Sequence, residues 1–199
     1  MKIRHIALFG SVFVFLFSIL LFFGVMISSE DDDGGGSSQI TIGQNLSPEV
    51  LKHQKTVEKY AREYGVEEYV GYLLAIMQVE SGGTAVDVMQ SSESLGLPPN
   101  TLGTEESIKQ GCKYFSELLK SAESMGCDIN AVVQSYNYGG GYLNYVAGKG
   151  KKHTFPLAES FAREKSGGIK VTYTNPIAVA KNGGWRYKYG NMFYGATRF

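Results

Sequence analysis

The stretch Met77-Gln78-Val79-Glu80-Ser81-Gly82-Gly83, followed shortly by Asp87-Val88-Met89-Gln90-Ser91-Ser92-Glu93, decides how this chain is read. Its first part is the end of an apolar helix over about residues 67–80, in which Val70, Leu73, Leu74, Ala75 and Met77 form a largely buried rod that Ser81-Gly82-Gly83 stops. Glu80 stands where the rod meets the turn. Neighbours of that kind imply partial burial, and burial favours the protonated form of a carboxylic acid. A carboxyl that keeps its proton near neutrality is what a general acid needs in order to protonate a leaving oxygen. Asp87, in the loop that follows, offers a second carboxylate in what is expected to be a more solvated setting. Two carboxylates in unlike environments are the logic of glycoside hydrolysis. The spacing alone also fits a helix that is merely capped by Glu-Ser-Gly.

Outward from this stretch the chain reads as helices. Ser47-Pro48-Glu49 is a helix start, and Val50, Val57, Tyr60 and Tyr64 keep helical spacing as far as Gly65. Thr84 to Gly103 reads as an irregular loop. Thr104 is expected to cap a third helix with the stripe Ile108, Cys112, Phe115, Leu119 and Ala122, ended by Gly126. Asp128 opens a fourth, carrying Val132, Val133 and Tyr136 until Gly139-Gly140-Gly141 breaks it. A basic loop, a helix near Leu157 to Lys165, a candidate short strand at Val171-Thr172-Tyr173 and an aromatic tail from Trp185 to Phe199 follow. The expected architecture is mostly α, one globular domain over residues 47–199 behind an N-terminal transmembrane helix. Cys112 and Cys127 are separated by most of one helix, roughly 20 Å, whereas a disulfide needs Cα atoms within about 7 Å; they are expected to stay unpaired.

The 199 residues carry 19 Lys+Arg and 19 Asp+Glu, a formal net charge of zero, with two cysteines and three histidines. That balance excludes a nucleic-acid binder relying on a global positive field. No disulfide scaffold is available, and no cluster with ligand spacing points to a metal or an organic cofactor. Zero is nevertheless an average over unlike segments. Residues 1–5, with Lys2 and Arg4, read as a cytoplasmic stub. Residues 6–27 form an uncharged run that as a helix would be about 33 Å long, enough to cross about 30 Å of hydrocarbon. Glu30 to Asp33 follow, so the positive-inside bias exports the remainder. The exit Val25-Met26-Ile27-Ser28-Ser29-Glu30 lacks a clear small-residue cleavage pattern, which favours an uncleaved anchor over a signal peptide that would release the chain. Residues 28–46 are an acidic, Gly/Ser-rich linker. Beyond it, residues 34–148 hold 7 basic and 13 acidic side chains, and residues 149–199 hold 10 basic and 2 acidic. Such a basic third suits an anionic surface such as a cell-wall polymer, or packs on the acidic section.

A second constellation is Gln134-Ser135-Tyr136-Asn137-Tyr138-Gly139-Gly140-Gly141-Tyr142. Aromatic faces such as Tyr136 and Tyr138 can stack on sugar rings, and amides such as Gln134 and Asn137 can bond hydroxyl and N-acetyl groups. A tyrosine-rich core edge with a glycine-broken helix is the alternative. Taken in order, helix-Glu80-Ser81-Gly82, Met89-Gln90, Ser107-Ile108-Lys109-Gln110-Gly111 and Tyr136-Asn137-x-Gly139 resemble the soluble lytic transglycosylase and goose-type lysozyme superfamily. The likeness is greater to the bacterial lysozyme modules of cell-wall hydrolases from Gram-positive conjugative elements, the CwlT-like group, through Asp87 to Glu93 and the aromatic tail Trp185 to Tyr194.

The resemblance covers about Ser47 to Phe199 and implies a lysozyme-like α+β fold with minimal β. It implies that Glu80 is the catalytic acid, Asp87 the second acid of the muramidase branch, Gln90 and Ser91 part of the glycan-binding loop, and Tyr136 and Asn137 the pair lining the cleft. The implied activity is an N-acetylmuramidase that cleaves the β-1,4 bond between N-acetylmuramic acid and N-acetylglucosamine, facing the wall from the membrane. Its implied partners are peptidoglycan strands, the membrane through residues 6–27 and a conjugative secretion channel. A lytic transglycosylase and a non-catalytic wall-binding scaffold are the rival readings. Two-domain members carry a C-terminal Cys-His peptidase of the NlpC/P60 type; the sequence to Phe199 has none, so peptide cleavage is not expected of it.

Overall fold

In a computed structural model that describes residues 46–196, the chain enters its first helix through Ser47, whose hydroxyl accepts a bond from the Val50 amide, and through Pro48 in the first turn. This helix, α1 (Pro48–Leu51), is a single turn. The expected continuous helix to Gly65 is instead bent at Lys52 and His53 before α2 (Gln54–Glu63), and the His53 ring Nε2 sits 3.2 Å from the carbonyl oxygen of Gly83. A tertiary contact has overridden local periodicity there. A 3-10 turn at Glu67–Tyr69 leads into α3 (Val70–Glu80), which buries Leu73, Leu74, Ala75, Ile76 and Met77 in succession. A helix apolar on all sides belongs in an interior, and other elements enclose this one.

After the loop of residues 84–103, with a 3-10 turn at Ser92–Leu95, comes the longest helix, α4 (Thr104–Met125). Gly103 rather than Thr104 holds its cap position, and Thr104 is its first helical residue. Ile108, Cys112, Phe115 and Ala122 form its buried stripe, and Gly126, at φ +71°, ends it in the left-handed conformation that glycine adopts without cost. Asp128 caps α5 (Ile129–Tyr138) by accepting from the Ala131 amide. The glycine run after it does not lead directly to a loop. A further helix, α6 (Gly141–Ala147), starts at once because Tyr142, Leu143 and Val146 are buried on one face of it.

The chain then forms α7 (Phe155–Lys165), β1 (Lys170–Thr172), α8 (Pro176–Asn182) and β2 (Trp185–Tyr187). The strands pair antiparallel, Lys170 opposite Tyr187 and Thr172 opposite Trp185. The strand therefore lies one residue earlier than expected, and part of the aromatic tail is its partner. The outcome is a mostly helical domain with a minimal two-stranded sheet, and all the described residues fall in one compact unit. Its core runs from Val50 and Val57 through Leu73, Met89, Phe115 and Tyr142 to Phe193 and Tyr194.

Both cysteines are free, Cys112 buried and Cys127 partly so. The expected stub at 1–5, anchor at 6–27 and most of the linker at 28–46 lie outside the described residues; among those described, no helix is long and apolar enough to cross a membrane. Among the described residues no ion pair joins the basic third to the acidic section. Among the described residues the ion pairs are Lys59–Glu105, Lys109–Glu63 and Lys113–Glu117, all within residues 47–148. Lys165, Lys170 and Lys181 lie over the rings of Phe161, Trp185 and Phe155 instead.

Candidate active site

Glu80 is the last residue of α3, and Ser81 Nα–H and Gly82 Nα–H both return to the Met77 carbonyl as the helix stops. Ser81 fastens this turn to the next loop, donating to the Val88 carbonyl at 2.6 Å while accepting from the Gly83 amide. The residue is only half-buried, but its carboxyl is surrounded by protein. Burial pushes that carboxyl up to about 8; a hydrogen bond from Tyr194 opposes the rise, and the negative charges of Glu93 and then Asp87 add to it. The Tyr194 hydroxyl donates to Glu80 Oε1 at 2.7 Å, from a residue with no exposed surface. Glu80 thus keeps its proton at neutral pH and presents it from the end of a rigid helix.

Asp87 overturns the expectation of a solvated second carboxylate. It has 0% exposure, and its carboxylate accepts four hydrogen bonds: Oδ1 from the Ser91 amide (3.0 Å) and the Ser107 hydroxyl (2.5 Å), Oδ2 from the Ser92 amide (3.2 Å) and the Ser92 hydroxyl (2.5 Å). The Ser92 hydroxyl in turn accepts from the Thr101 and Leu102 amides, so one carboxylate gathers both ends of the loop and the first turns of α4. The physical reason is supply: three serines bring hydroxyls and amides to a place water does not reach, and the two oxygens of one carboxylate accept from them all.

Glycan contacts were expected from Gln90, Ser91, Gln134, Tyr136, Asn137 and Tyr138, and the structure spends most of their polar atoms on partners within the protein. Gln90, at φ +46°, is held in that strained conformation by its Nε2, which donates to the Asp87 carbonyl and to Asn100 Oδ1. Ser91 is buried, its hydroxyl donating to the Ser107 carbonyl. Gln134, also buried, donates to the Asn191 carbonyl and accepts from the Gly195 amide, each at 3.0 Å. Asn137 accepts from the Asn191 amide at 2.6 Å, and Tyr138 donates to the Ala158 carbonyl. Tyr136 donates to the Met89 carbonyl at 3.1 Å, fixing the loop that follows Asp87. Gly111 in α4 permits this: a Cβ there would lie 2.6 Å from the Met89 sulfur and 2.9 Å from the Tyr136 hydroxyl. The α5 residues therefore clamp the C-terminal segment. Ser91 and Gln134 face no solvent in this structure.

Sequence reasoning missed Tyr194. No periodicity links it to Glu80, which lies 114 positions earlier; only the clamp of Gln134 and Asn137 on the segment around Asn191 brings it there. Gly190 lets that segment approach, since a Cβ on it would fall 2.7 Å from Asn137 Oδ1. Because the Tyr194 bond favours the ionised form of Glu80, Tyr194→Phe is expected to raise the Glu80 carboxyl further and move the alkaline limb of activity to higher pH. A pH–rate profile that is unchanged in the variant would remove Tyr194 from this role. A surface hollow of about 400 Å³ lined by His53, Lys59 and Glu105, between α2 and the start of α4, contains none of the residues above.

A protonated carboxyl ending a core helix, beside a loop pinned through a buried carboxylate and under a helical bundle with a minimal sheet, defines a lysozyme-like domain. The chain belongs to the lysozyme-like family, whose model matches residues 47–197. Among its relatives, the bifunctional muramidase/DL-endopeptidase CwlT of Bacillus subtilis (strain 168) is 44% identical over 124 residues, covering 62% of this chain and 36% of that protein. The uncharacterized membrane protein YocA of the same organism is 36% identical over 143 residues, 71% of this chain and 63% of YocA. The pneumococcal vaccine antigen A of Streptococcus pneumoniae serotype 4 is 31% identical over 154 residues, 73% and 76% of the respective chains. A solved structure described as similar to an NLP/P60-family lipoprotein, from Staphylococcus aureus subsp. aureus Mu50, superposes with a TM-score of 0.76 at 70% identity. The match covers 77% of this chain and 52% of that one. The chain thus spans only about a third of CwlT and less than two thirds of YocA.

Proposed function

We propose that the chain is a peptidoglycan N-acetylmuramidase that uses Glu80 as general acid on the β-1,4 bond between N-acetylmuramic acid and N-acetylglucosamine. The observation that carries this reading is the Glu80 carboxyl, pushed up to about 8 by burial and held by Tyr194 at 2.7 Å. At neutral pH it holds a proton for the glycosidic oxygen, and as the bond to the anomeric carbon breaks the leaving hydroxyl carries that proton away. Membership of the lysozyme-like family and the muramidase named in the CwlT relative support the substrate class. In this reading residues 6–27 tether the domain on the wall side of a membrane, and a conjugative channel is the assembly that local opening of the wall serves.

One observation favours a second reading. Asp87 is wholly engaged by its own loop and by Ser107 of α4, and a lytic transglycosylase needs a single acid because the muramoyl 6-hydroxyl attacks internally. Digestion of purified peptidoglycan by the full chain, followed by mass spectrometry of the fragments, separates the readings. Reducing N-acetylmuramic acid ends are expected. Fragments ending in 1,6-anhydro sugar would assign the transglycosylase, and sedimentation with intact peptidoglycan without fragments would assign a scaffold.

A further inference from the structure

Glu93 is a half-buried carboxylate that the mechanism above does not use. It occupies the 3-10 turn Ser92–Leu95, where its neighbours are all pinned: Ser91 to the Ser107 carbonyl, Ser92 to Asp87, and Ser94 by donating to the Ser91 carbonyl while accepting from Gln110. Among the described residues the side chain of Glu93 has no hydrogen-bond partner, and no cation of theirs lies within ion-pair distance of it. A carboxylate kept partly out of water without a partner costs stability, and folds tolerate such groups chiefly where they work. The turn that presents Glu93 is tied to the Glu80 turn through Ser81 and Val88, and to the core through Tyr136 and Met89.

We propose, building on the muramidase reading, that Glu93 rather than Asp87 is the second carboxylate of the reaction, and that Asp87 is the positioning residue that holds the Glu93 turn. Glu80 gives its proton to the glycosidic oxygen as the bond to the anomeric carbon breaks. A water oxygen forms the new bond to that carbon, and one proton of that water passes to Glu93. Glu93 returns it to solvent and Glu80 is reprotonated, so that the net change is one water added across the bond. The electrostatics agree: Glu93 acts on Glu80 more strongly than Asp87 does, and burial, then the Asp87 charge, raise the Glu93 carboxyl and make it a better base.

The test is azide rescue. With the full chain and purified peptidoglycan, Glu93→Ala is expected to lower turnover about 100-fold with an unchanged half-saturating substrate concentration. Azide should restore turnover and yield a glycosyl azide, the small anion replacing the activated water. Asp87→Ala is expected to lose activity that azide does not restore. Turnover of Glu93→Ala and Glu93→Gln within twofold of the wild type would overturn the assignment, as would a loss at Glu93 that azide leaves untouched or a rescue at Asp87. Thermal unfolding of Glu93→Gln should occur at or slightly above the wild-type temperature, since the side chain holds nothing in place and the neutral amide removes the cost of the partly enclosed charge. A wild-type chain that releases no reducing sugar overturns the muramidase reading itself. An active wild type with indifferent Glu93 variants overturns the Glu93 assignment alone.

Discussion

Glu80→Gln is expected to lower peptidoglycan turnover about 10³-fold and, at alkaline pH, to make the domain more stable than the wild type. The first effect follows from losing the only proton that the end of α3 presents. The second follows from linkage. Burial raises the Glu80 carboxyl from the usual 4.5 to about 8, so the native state binds a proton more tightly than the unfolded chain does. Native stability is therefore complete below about 4.5 and declines as pH rises toward about 8. Above that, the ionised carboxylate remains enclosed at a cost of up to about 5 kcal/mol. A neutral glutamine avoids it. Urea unfolding of both proteins at pH 6 and pH 9 reads this directly: the gap between variant and wild type should open in favour of the variant at the higher pH. A gap that is the same at both values contradicts the enclosure of Glu80. Wild-type turnover should fall over the same range, as the acid loses its proton.

The second large effect is at Asp87. Replacing it by alanine removes the acceptor of four hydrogen bonds at once and leaves the Ser91 and Ser92 amides and two serine hydroxyls inside the protein without that partner. Such a deletion costs about 3–5 kcal/mol, because each buried donor forfeits water as well as the carboxylate. Asn is no remedy: whichever carboxylate oxygen becomes an amide nitrogen meets a backbone N–H. Asp87→Ala should lower the urea midpoint accordingly and open the 84–103 segment to proteases while the helices persist. A midpoint within about 1 kcal/mol of the wild type would contradict the role of Asp87 in holding the loop.

The two effects also mark how far sequence reading reaches. Helices α4 and α5 were legible because their apolar residues repeat at the helical period over ten or more positions, α3 because it is an apolar run of helical length, and glycine or aspartate marks their ends. The elements α6, α8 and β2 were not, being seven residues or fewer and owing their form to what they pack on. Gly141 opens a helix in spite of its composition, since Tyr142 and Leu143 must be buried. Glu80 was legible for a local reason, an acid at the end of an apolar rod. The environment of Asp87 was not, because one of its four hydrogen bonds comes from Ser107, 20 positions away. The amides and tyrosines of α5 carried a chemical signature that fits sugars and fits equally the backbone groups of a docked segment. Which of the two they serve depends on where residues 190–195 go, and no spacing within α5 records that.

The reach of Tyr194 back to Glu80 bears on when the molecule becomes competent. A ribosome delivers Glu80 long before Tyr194, and the residues between them make the bond one of the most non-local in the fold. Until the final turn has docked beneath Gln134, α3 ends in a carboxyl without its enclosure or its phenol, and such an acid ionises in the ordinary range. The raised carboxyl therefore arrives with the docking of the Tyr194 turn rather than with the helix that bears Glu80. A half-made chain carries the residue but not the proton that burial makes it keep at neutral pH.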